Sequence, residues 1–210
     1  SLVRATKDGY CGYVANEVLS EETTPTHRVT ARASHFYEAP DMKSKDLGWL
    51  SFGSRLTAVS ETATFIETPQ GHVPRQHVHG LDATGKDPAS IAEIFLGTPY
   101  LWGGNSHLGI DCSGLVQAAC LACAIPCPGD SDQQASLLGA ELQSTDRLCR
   151  NDLIFWQGHV ALVCDADTLI HANAGHMAVV FEPVNEALTR IEAQGDGAPT
   201  GFRRLPVNRD

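Results

Sequence analysis

The chain has 210 residues, of which 42% are hydrophobic and 19% charged, an ordinary globular composition that excludes a disordered protein. Its formal net charge of −10 is not interrupted by a basic cluster, so neither a nucleic acid nor an anionic membrane surface is expected as a partner. No run of about 18 apolar residues is present, and the N-terminus lacks the apolar core of a signal peptide. A small soluble substrate suits this balance.

The seven cysteines are odd in number, and five of them lie in or beside apolar segments, which is not the pattern of a secreted disulfide framework. A reducing, cytoplasmic location is therefore expected, with a periplasmic or secreted one left open if a leader has been removed. Cys120 and Cys123 have CxxC spacing, but no second pair accompanies them. Apolar packing within a helix is expected for both, rather than a metal or redox site.

Residues 1 to about 80 contain short β-rich runs separated by Pro, Gly, Asp and Ser, and they lack long helical periodicity. Two segments echo each other, Gly12-Tyr13-Val14-Ala15 and Gly71-His72-Val73-Pro74. Their pattern resembles the closing strands of bacterial SH3-like barrels. The resemblance implies the remnant of a first barrel with a linker over residues 1–25 and a second barrel over residues 26–80, in a chain that begins partway through the first barrel.

The segment GHVPRQHVHG contains His72, His77 and His79, and the last two have the HxH spacing that lets two ligands share a strand face. No adjacent cysteine or acidic cluster completes a site. Surface or strand-end histidines are therefore expected, with no metal and no cofactor.

Residues 81–87 predict a linker, and residues 88–210 predict a helix-first, strands-after α+β domain. Asp87 is expected to cap a short amphipathic helix through ASIAEIFLG that stops at Gly97. A Gly-rich loop then leads into Asp111-Cys112-Ser113-Gly114, and the apolar spacing of LVQAACLACA predicts a buried helix. Pro126-Cys127-Pro128-Gly129 ends that helix.

The remaining elements follow in order. Ser131 or Asp132 is expected to cap a further helix through QQASLLGAEL. Apolar runs between Leu153 and Phe181 predict adjacent antiparallel strands, EALTRIEAQ predicts a last helix, and GFRRL predicts a final edge strand.

The residues around Cys112 predict thiol chemistry. At a helix start, unpaired N–H groups and the helix dipole favour a thiolate over a thiol. His159 and His171 lie in the strand region downstream, and a Cys, a His and a third polar group that orients the His form the general arrangement for acyl transfer. A thiol enzyme is predicted, with Cys112 and His159 held as an ion pair.

Five segments, PYLWGG, GIDCSGL, GDSDQQ, DLIFWQGHVAL and LIHANAG, occur in an order and spacing that resemble the NlpC-type cell-wall cysteine peptidases. The resemblance covers about residues 88 to 206. It implies a papain-like cysteine peptidase domain preceded by small all-β SH3-like barrels, in which Cys112 is the nucleophile, His159 the base and His171 the orienting residue.

The resemblance also implies a substrate. Members with SH3-like domains ahead of the catalytic domain cleave the γ-D-glutamyl bond to a diamino acid in murein peptides with a free N-terminal L-Ala, as in peptidoglycan turnover or recycling. The residues implied to bind that end are Asp111, Ser113, Tyr100, Ser131 and, from the first SH3-like domain, Tyr10. On the residues alone, Asp111 has a second interpretation as a helix N-terminal carboxylate, and Tyr10 as a barrel-surface tyrosine. Diaminopimelate and lysine both stay open as the diamino acid.

Two interpretations from other classes remain. One is a non-catalytic peptidoglycan-binding module, which selective alkylation of Cys112 by iodoacetamide would exclude. The other is a papain-like acyltransferase or amidase, which would need an apolar acyl channel, whereas Asp111, Ser113 and Ser131 favour a polar peptide.

Overall fold

The structure, a computed structural model, describes residues 1–21, 23–143 and 146–207. The chain divides into two compact units, one of Ser1–Val3 and Gly12–Thr84 and one of Arg4–Cys11 and Gly85–Asp210. Residues 4–11, which the sequence assigns to a barrel remnant, therefore group with the second unit. The predicted domain boundaries stay a prediction.

The N-terminal part of the chain contains ten short strands in its described residues, 1–21 and 23–84. They are β1 (Leu2–Arg4), β2 (Cys11–Tyr13), β3 (His27–Val29), β4 (Ala33–Tyr37), β5 (Asp46–Ser51), β6 (Arg55–Leu56), β7 (Ser60–Glu61), β8 (Phe65–Thr68), β9 (Gly71–Pro74) and β10 (Val78–Gly80). Single 3₁₀ turns occur at Asn16–Val18 and Arg75–His77. The all-β character predicted for residues 26–80 is confirmed.

Two sheets make up most of the first unit, one in the order β5-β4-β9-β8-β7 and one in the order β10-β3-β6. Their apolar residues form a common core, which comprises Val29, Leu50, Leu56, Ile66, Val73 and Val78. Burial of these side chains stabilises the unit by about 25 cal/mol per Å² of apolar surface removed from water. The SH3-like identity of this region stays a prediction.

The second unit contains four helices and eight strands within the described ranges. The helices are α1 (Pro88–Glu93), α2 (Cys112–Ala122), α3 (Ser131–Leu137) and α4 (Val184–Gln194). The strands are β11 (Asn105–Ser106), β12 (Gly109–Ile110), β13 (Ala140–Leu142), β14 (Asp152–Trp156), β15 (His159–Val163), β16 (Thr168–Asn173), β17 (Ala178–Pro183) and β18 (Gly201–Arg204).

A six-stranded antiparallel sheet in the order β13-β18-β14-β15-β16-β17 is the centre of the second unit. Helix α2 packs on β15 and β16, and α1 packs on α2. Helix α4 buries Val184, Ala187 and Ile191 in an apolar cluster with the sheet. The α+β pattern predicted for this domain is confirmed, since helices and an antiparallel sheet are both present. Strands β14, β15 and β16 are buried along most of their length.

Several local predictions are confirmed and others are wrong. Asp87 caps α1 by accepting a hydrogen bond from the Ser90 N–H, although α1 ends at Glu93 and not at Gly97. Neither Ser131 nor Asp132 caps α3, because the N-cap is Asp130, which makes no side-chain hydrogen bond there. Helix α3 ends at Leu137 and does not run through QQASLLGAEL, because Leu138 is already extended at φ −83 and ψ 131 and Gly139 follows at φ +57.

The position of the last strand also differs from the prediction. Residues 140–142, expected to be helical, form the edge strand β13. Strand β18, predicted to lie at the edge, is instead paired on both sides, with β13 and with β14. Strand order depends on contacts between distant segments, which the local pattern of GFRRL does not encode.

Candidate active site

Helix α2 begins at Cys112 because Asp111 caps it. The Asp111 carboxylate accepts hydrogen bonds from Gly114 N–H at 2.7 Å and, with its other oxygen, from Gly103 N–H at 2.7 Å. The Gly-rich loop and the helix start therefore share one carboxylate. A Cβ built on Gly114 would lie 2.5 Å from the Gly104 carbonyl oxygen, so a side chain at Gly114 would push the loop away.

The same cap fixes Ser113. Its hydroxyl donates to Asp111 at 3.2 Å, and its carbonyl accepts from Gln134 Nε2 at 2.9 Å. Gln134 also donates to the Pro128 carbonyl at 2.9 Å, and in this way it links α3 to the start of α2. Ser131, the first residue of α3, is partly exposed three residues before Gln134.

The Cys112 thiol is only 6% exposed and lies against the start of β15. Within the described ranges its hydrogen bond goes to the Gly158 carbonyl, with sulfur and oxygen 3.9 Å apart, and not to the His159 ring. Burial and the neighbouring Asp111 raise the pKa of Cys112 to about 11, against a lowering by the backbone N–H groups of Val160 and Ser113. The resting side chain is therefore a neutral thiol.

His159 is also neutral at rest. Burial, and then the positive charge of a protonated His171 or of Arg190, lowers the pKa of His159 to about 3. In this structure the thiol is hydrogen-bonded to the Gly158 carbonyl and not to the His159 ring, and burial favours the neutral form of both groups over the expected ion pair. Selective alkylation of a resting thiolate at Cys112 is not expected either, and the exposed Cys11 should react first.

A chain of hydrogen-bonded side chains leads away from His159 across three strands. His159 Nε2 lies 3.0 Å from His171 Nδ1, and His171 Nε2 lies 2.8 Å from Glu182 Oε2. Arg190 on α4 donates to both Glu182 oxygens, at 2.9 and 2.7 Å. His159, His171 and Glu182 stand on β15, β16 and β17, so adjacent strands of the central sheet supply the chain.

The protonation states along this chain follow from burial and charge. Burial lowers the pKa of His171, with Arg190 and His176 adding to the lowering and Glu182 opposing it. Burial acts to raise the pKa of Glu182, but hydrogen bonds from Arg190 and His171 outweigh it and lower that pKa to about 2. Glu182 is thus a carboxylate at neutral pH, and the imidazoles are neutral.

The two tyrosines implied to bind the substrate lie at different positions in the second unit, Tyr100 near Cys112 and Asp111 and Tyr10 beside Gly129. Burial, and then the neighbouring Cys112 and Asp111, raise the pKa of the Tyr100 phenol. The ring of Tyr10 is 57% exposed and lies beside Gly129, where an added Cβ would be 3.6 Å from Tyr10 Cδ2. Gly129 precedes Ser131 by two residues, so Tyr10 and the α3 start are neighbours.

The turn that carries Tyr10 is bonded to α2 through Gln117. Lys7 Nζ donates to Gln117 Oε1 at 2.9 Å, and Gln117 Nε2 donates to Asp8 Oδ2 at 2.8 Å. The Asp8 side chain is almost fully buried by this contact. Gln117 lies on the same helix as Cys112, so the helix that presents the thiol also holds the turn.

Glu182, Arg190, Gln117 and Gln134 are the residues of this site that the sequence analysis missed. Glu182 carried a signal, since it is a charged residue in the apolar strand AVVFEP. Leu169 pairs with Glu182 and His171 with Val180, so Glu182 is the diagonal same-face neighbour of His171. Finding it required the strand register. Gln117 is the one polar side chain in the apolar run LVQAACLACA, and Gln134 ends the motif GDSDQQ, but neither segment indicates the partner of its glutamine.

No group of three or more His, Cys, Asp or Glu in the described part of the chain could hold a metal ion. His77 is engaged with Ser34, at 2.9 Å between Nδ1 and Oγ, and His79 is exposed on β10. Cys120 is fully buried in α2. All seven cysteines, each within the described ranges, are free thiols. No helix in those ranges has the length and apolarity needed to cross a bilayer.

The fold and the site together define a cysteine peptidase with a mixed α+β, papain-like catalytic domain. The model of the NlpC/P60 family matches residues 97–193, which include Cys112, His159, His171 and Glu182. This part of the chain matches the NlpC/P60 family, as the motifs from PYLWGG to LIHANAG predict.

Two curated proteins and one solved structure are similar over most of the chain. Dipeptidyl-peptidase 6 of Lysinibacillus sphaericus is 28% identical, over 85% of this chain and 74% of its own length. Gamma-D-glutamyl-L-lysine dipeptidyl-peptidase of Bacillus cereus is also 28% identical, over 85% of this chain and 61% of its own length. An NlpC/P60 family protein from B. cereus superimposes with a TM-score of 0.76 at 25% identity, over 95% of this chain and 72% of the other. The chain thus spans about three fifths of the gamma-D-glutamyl-L-lysine dipeptidyl-peptidase.

Proposed function

We propose that this chain hydrolyses the γ-D-glutamyl bond to a diamino acid in small murein peptides whose N-terminal L-Ala is free, in peptidoglycan turnover or recycling. One observation carries the proposal. The Cys112 thiol is hydrogen-bonded to the carbonyl of Gly158, the residue before His159, and the His159 ring is hydrogen-bonded to His171. The name of the B. cereus relative, a gamma-D-glutamyl-L-lysine dipeptidyl-peptidase, supports the choice of bond.

In this mechanism Cys112 is the nucleophile and His159 the general base. His159 Nε2 is engaged with His171, which leaves Nδ1 as the ring nitrogen available to the thiol. The thiol must leave the Gly158 carbonyl and turn toward the ring. Because both groups are neutral at rest, His159 Nδ1 takes the proton as the sulfur attacks the carbonyl carbon, so the charges form only during the reaction.

The negative charge then moves to the carbonyl oxygen as the C–S bond forms. The Cys112 N–H, in the unpaired first turn of α2, and the Tyr100 hydroxyl are the proposed donors to this oxyanion. The C–N bond breaks as His159 returns its proton to the leaving amine. Water next attacks the thioester, His159 accepts a proton from it, and the L-Ala-D-Glu acid and the free thiol are released.

Asp111, Ser113, Ser131, Tyr100 and Tyr10 are proposed to bind the L-Ala ammonium end. Asp111 is a helix cap with hydrogen bonds from Gly103, Ser113 and Gly114, but an ionised carboxylate has about four acceptor positions, so one remains for an ammonium. Acylation of that ammonium would remove the donor and leave a buried polar group unpaired, which disfavours glycan-attached or capped peptides.

Mass spectrometry of L-Ala-γ-D-Glu-diaminopimelate and of its lysine counterpart, each incubated with the protein, tests bond and reaction together. Release of L-Ala-D-Glu from either peptide is expected, and Cys112→Ala should abolish it. Cys11→Ala, which removes an exposed thiol, is the matched control and should retain the release. Wild-type turnover in Cys112→Ala would overturn the mechanism.

Recognition of the free amino group is tested separately with N-acetyl-L-Ala-γ-D-Glu-diaminopimelate. The acetylated peptide should be cleaved at least about 100-fold more slowly, since the cost of an unpaired buried polar group is a few kcal/mol. Equal rates for the free and acetylated peptides would overturn the proposed end recognition and leave the peptidase mechanism in place.

A further inference from the structure

We propose that Glu182, held by Arg190, is a positioning residue that fixes which ring nitrogen carries the proton in both His171 and His159. This inference rests on the proposed function, because it gives His159 the unprotonated Nδ1 that the thiol requires. Glu182 acts through His171, and two side chains, His171 and His159, stand between it and the Cys112 sulfur. No contact with substrate is therefore ascribed to Glu182.

The hydrogen-bond geometry at Glu182 allows one assignment of donors and acceptors. An ionised carboxylate only accepts, and an arginine only donates. Arg190 donates to both oxygens of Glu182, and His171 Nε2 lies 2.8 Å from the same Oε2 that accepts from Arg190. His171 Nε2 must therefore carry a proton and donate it to Glu182.

The assignment continues to His159. A neutral imidazole has one N–H and one acceptor nitrogen, so protonation of His171 at Nε2 leaves its Nδ1 as an acceptor. The 3.0 Å contact between His171 Nδ1 and His159 Nε2 then requires His159 to be the donor, with its proton on Nε2. His159 Nδ1 keeps its lone pair and can accept a proton from the thiol.

Burial of Glu182 and His171 favours this one pair of ring tautomers over the alternatives. Glu182 and His171 are 5% and 1% exposed, so water does not offer alternative partners for their polar atoms. Arg190 stabilises the carboxylate form of Glu182, consistent with the lowered pKa of that group. Replacing Glu182 by Gln would present an amide, which can donate to His171 Nε2 as readily as accept from it. The donating amide would reverse both ring tautomers and place a proton on His159 Nδ1.

The matched control is a second carboxylate–arginine pair with the same geometry in the same unit. Asp152 accepts from Arg204 Nε at 2.9 Å and from Nη2 at 2.8 Å, and it is fully buried. It also accepts a hydrogen bond from the Cys149 N–H at 2.8 Å. Asp152→Asn therefore alters a buried carboxylate–arginine pair without altering the histidine chain.

The direct test is the tautomer of each ring, read from long-range ¹H–¹⁵N correlations of histidine-labelled full chain without substrate. Wild type and Asp152→Asn should both show His159 and His171 protonated at Nε2. Glu182→Gln should show a substantial Nδ1-protonated population in both rings. Arg190→Lys, which keeps both Glu182 and a cation beside it, should retain the wild-type pattern. Unchanged tautomers in Glu182→Gln would overturn the proposal. If Glu182→Gln does not fold, Glu182→Ala, which removes the acceptor of the His171 Nε2 proton, is measured the same way; a mixed tautomer population is expected, and unchanged tautomers would overturn the proposal.

Kinetics supply the second readout. Glu182→Gln should lower kcat about 10- to 100-fold with KM within about twofold, since partners of this kind typically change activity by that amount without touching substrate. Asp152→Asn should leave kcat of the folded protein unchanged. A fall in kcat in both variants alike would show a merely structural role and overturn the proposal. Because the spectra need no substrate, failure of the proposed substrate leaves the tautomer test intact.

Discussion

Two buried carboxylate–arginine pairs in the second unit have nearly the same geometry and different surroundings. Arg190 contacts Glu182 at 2.9 and 2.7 Å, and Arg204 contacts Asp152 at 2.9 and 2.8 Å. The first pair joins α4 to β17 and continues into His171, whereas the second joins β18 to β14 and continues into the backbone at Cys149. The two pairs therefore differ in the further partner of the carboxylate and not in the ion pair itself. The Glu182 pair is expected to affect the reaction through His171, and the Asp152 pair is expected to affect stability alone.

The largest expected effect belongs to the stability pair. Asp152→Ala removes the partner of Arg204 and of the Cys149 N–H in a fully buried position, so the free energy of unfolding should fall by about 3 kcal/mol. Urea unfolding of the full chain measures it, with the exposed Glu192→Ala as control. The folded variant should retain wild-type kcat. A loss of kcat with stability unchanged would erase the contrast between the two pairs.

His171→Ala tests the chemical side of the comparison at the residue that links Glu182 to His159. The substitution leaves His159 without its hydrogen-bond partner, and kcat should fall about 100-fold, or about 2.7 kcal/mol, with a measurable remnant because the thiol and oxyanion donors stay. His176→Ala, which removes an exposed histidine bonded to Asn173, is the control. Wild-type kcat in His171→Ala would show that the chain from Glu182 does not reach the reaction.

Local sequence patterns predict some features of this fold and not others. The Asp87 cap, the helix that starts at Cys112 and the strands around His159 and His171 follow from local periodicity and capping, and they are confirmed. The central position of β18 depends on pairing with strands about 50 to 60 residues earlier. The grouping of residues 4–11 with the second unit depends on contacts with Gln117, about 110 residues later. Such contacts leave no local pattern.

The ionisation of the site differs from the expected ion pair for a related reason. The helix start at Cys112 is visible in the sequence. The burial that raises the pKa of its thiol is not, because it depends on tertiary contacts such as that with Gly158, 46 residues later in the chain. Glu182 was missed because its partnership with His171 depends on the register between β16 and β17. Sequence thus predicts which groups carry chemistry better than it predicts their charges.

The pH dependence of the free energy of unfolding should show what the negative charge of Glu182 contributes, because Glu182→Gln removes the charge and keeps the size of the side chain. The pKa of Glu182 lies at about 2 in the folded state, below its ordinary value of 4.5, so its contribution to stability is present above pH 4.5 and is lost as the pH falls toward 2. Between pH 6 and pH 3 this loss should amount to about 2 kcal/mol in wild type and be absent in Glu182→Gln. Urea unfolding at the two pH values measures the difference, with the exposed Glu186→Gln as control. Equal acid losses in wild type and Glu182→Gln would contradict the depressed pKa.

A third carboxylate–arginine pair, between Arg150 and Asp87, is more exposed than the other two. Its removal should have the smallest effect on the free energy of unfolding. Arg150 donates to Asp87 Oδ2 at 2.9 and 2.6 Å, and the two side chains are 39% and 32% exposed. Water screens such a pair, so the ion pair itself should contribute at most about 1 kcal/mol. Asp87 differs from the other carboxylates in also capping α1, through hydrogen bonds from the N–H and the hydroxyl of Ser90.

Two substitutions at Asp87 separate the cap from the charge. Asp87→Asn keeps a side-chain oxygen that can cap α1 and loses the negative charge, so it should lower the free energy of unfolding by less than about 1 kcal/mol. Asp87→Ala loses both and should cost about 1 to 2 kcal/mol, less than the change expected for Asp152→Ala. Urea unfolding of the three variants side by side ranks them. If Asp87→Ala cost as much as Asp152→Ala, the greater exposure of the Arg150–Asp87 pair would not be what lowers its contribution to stability.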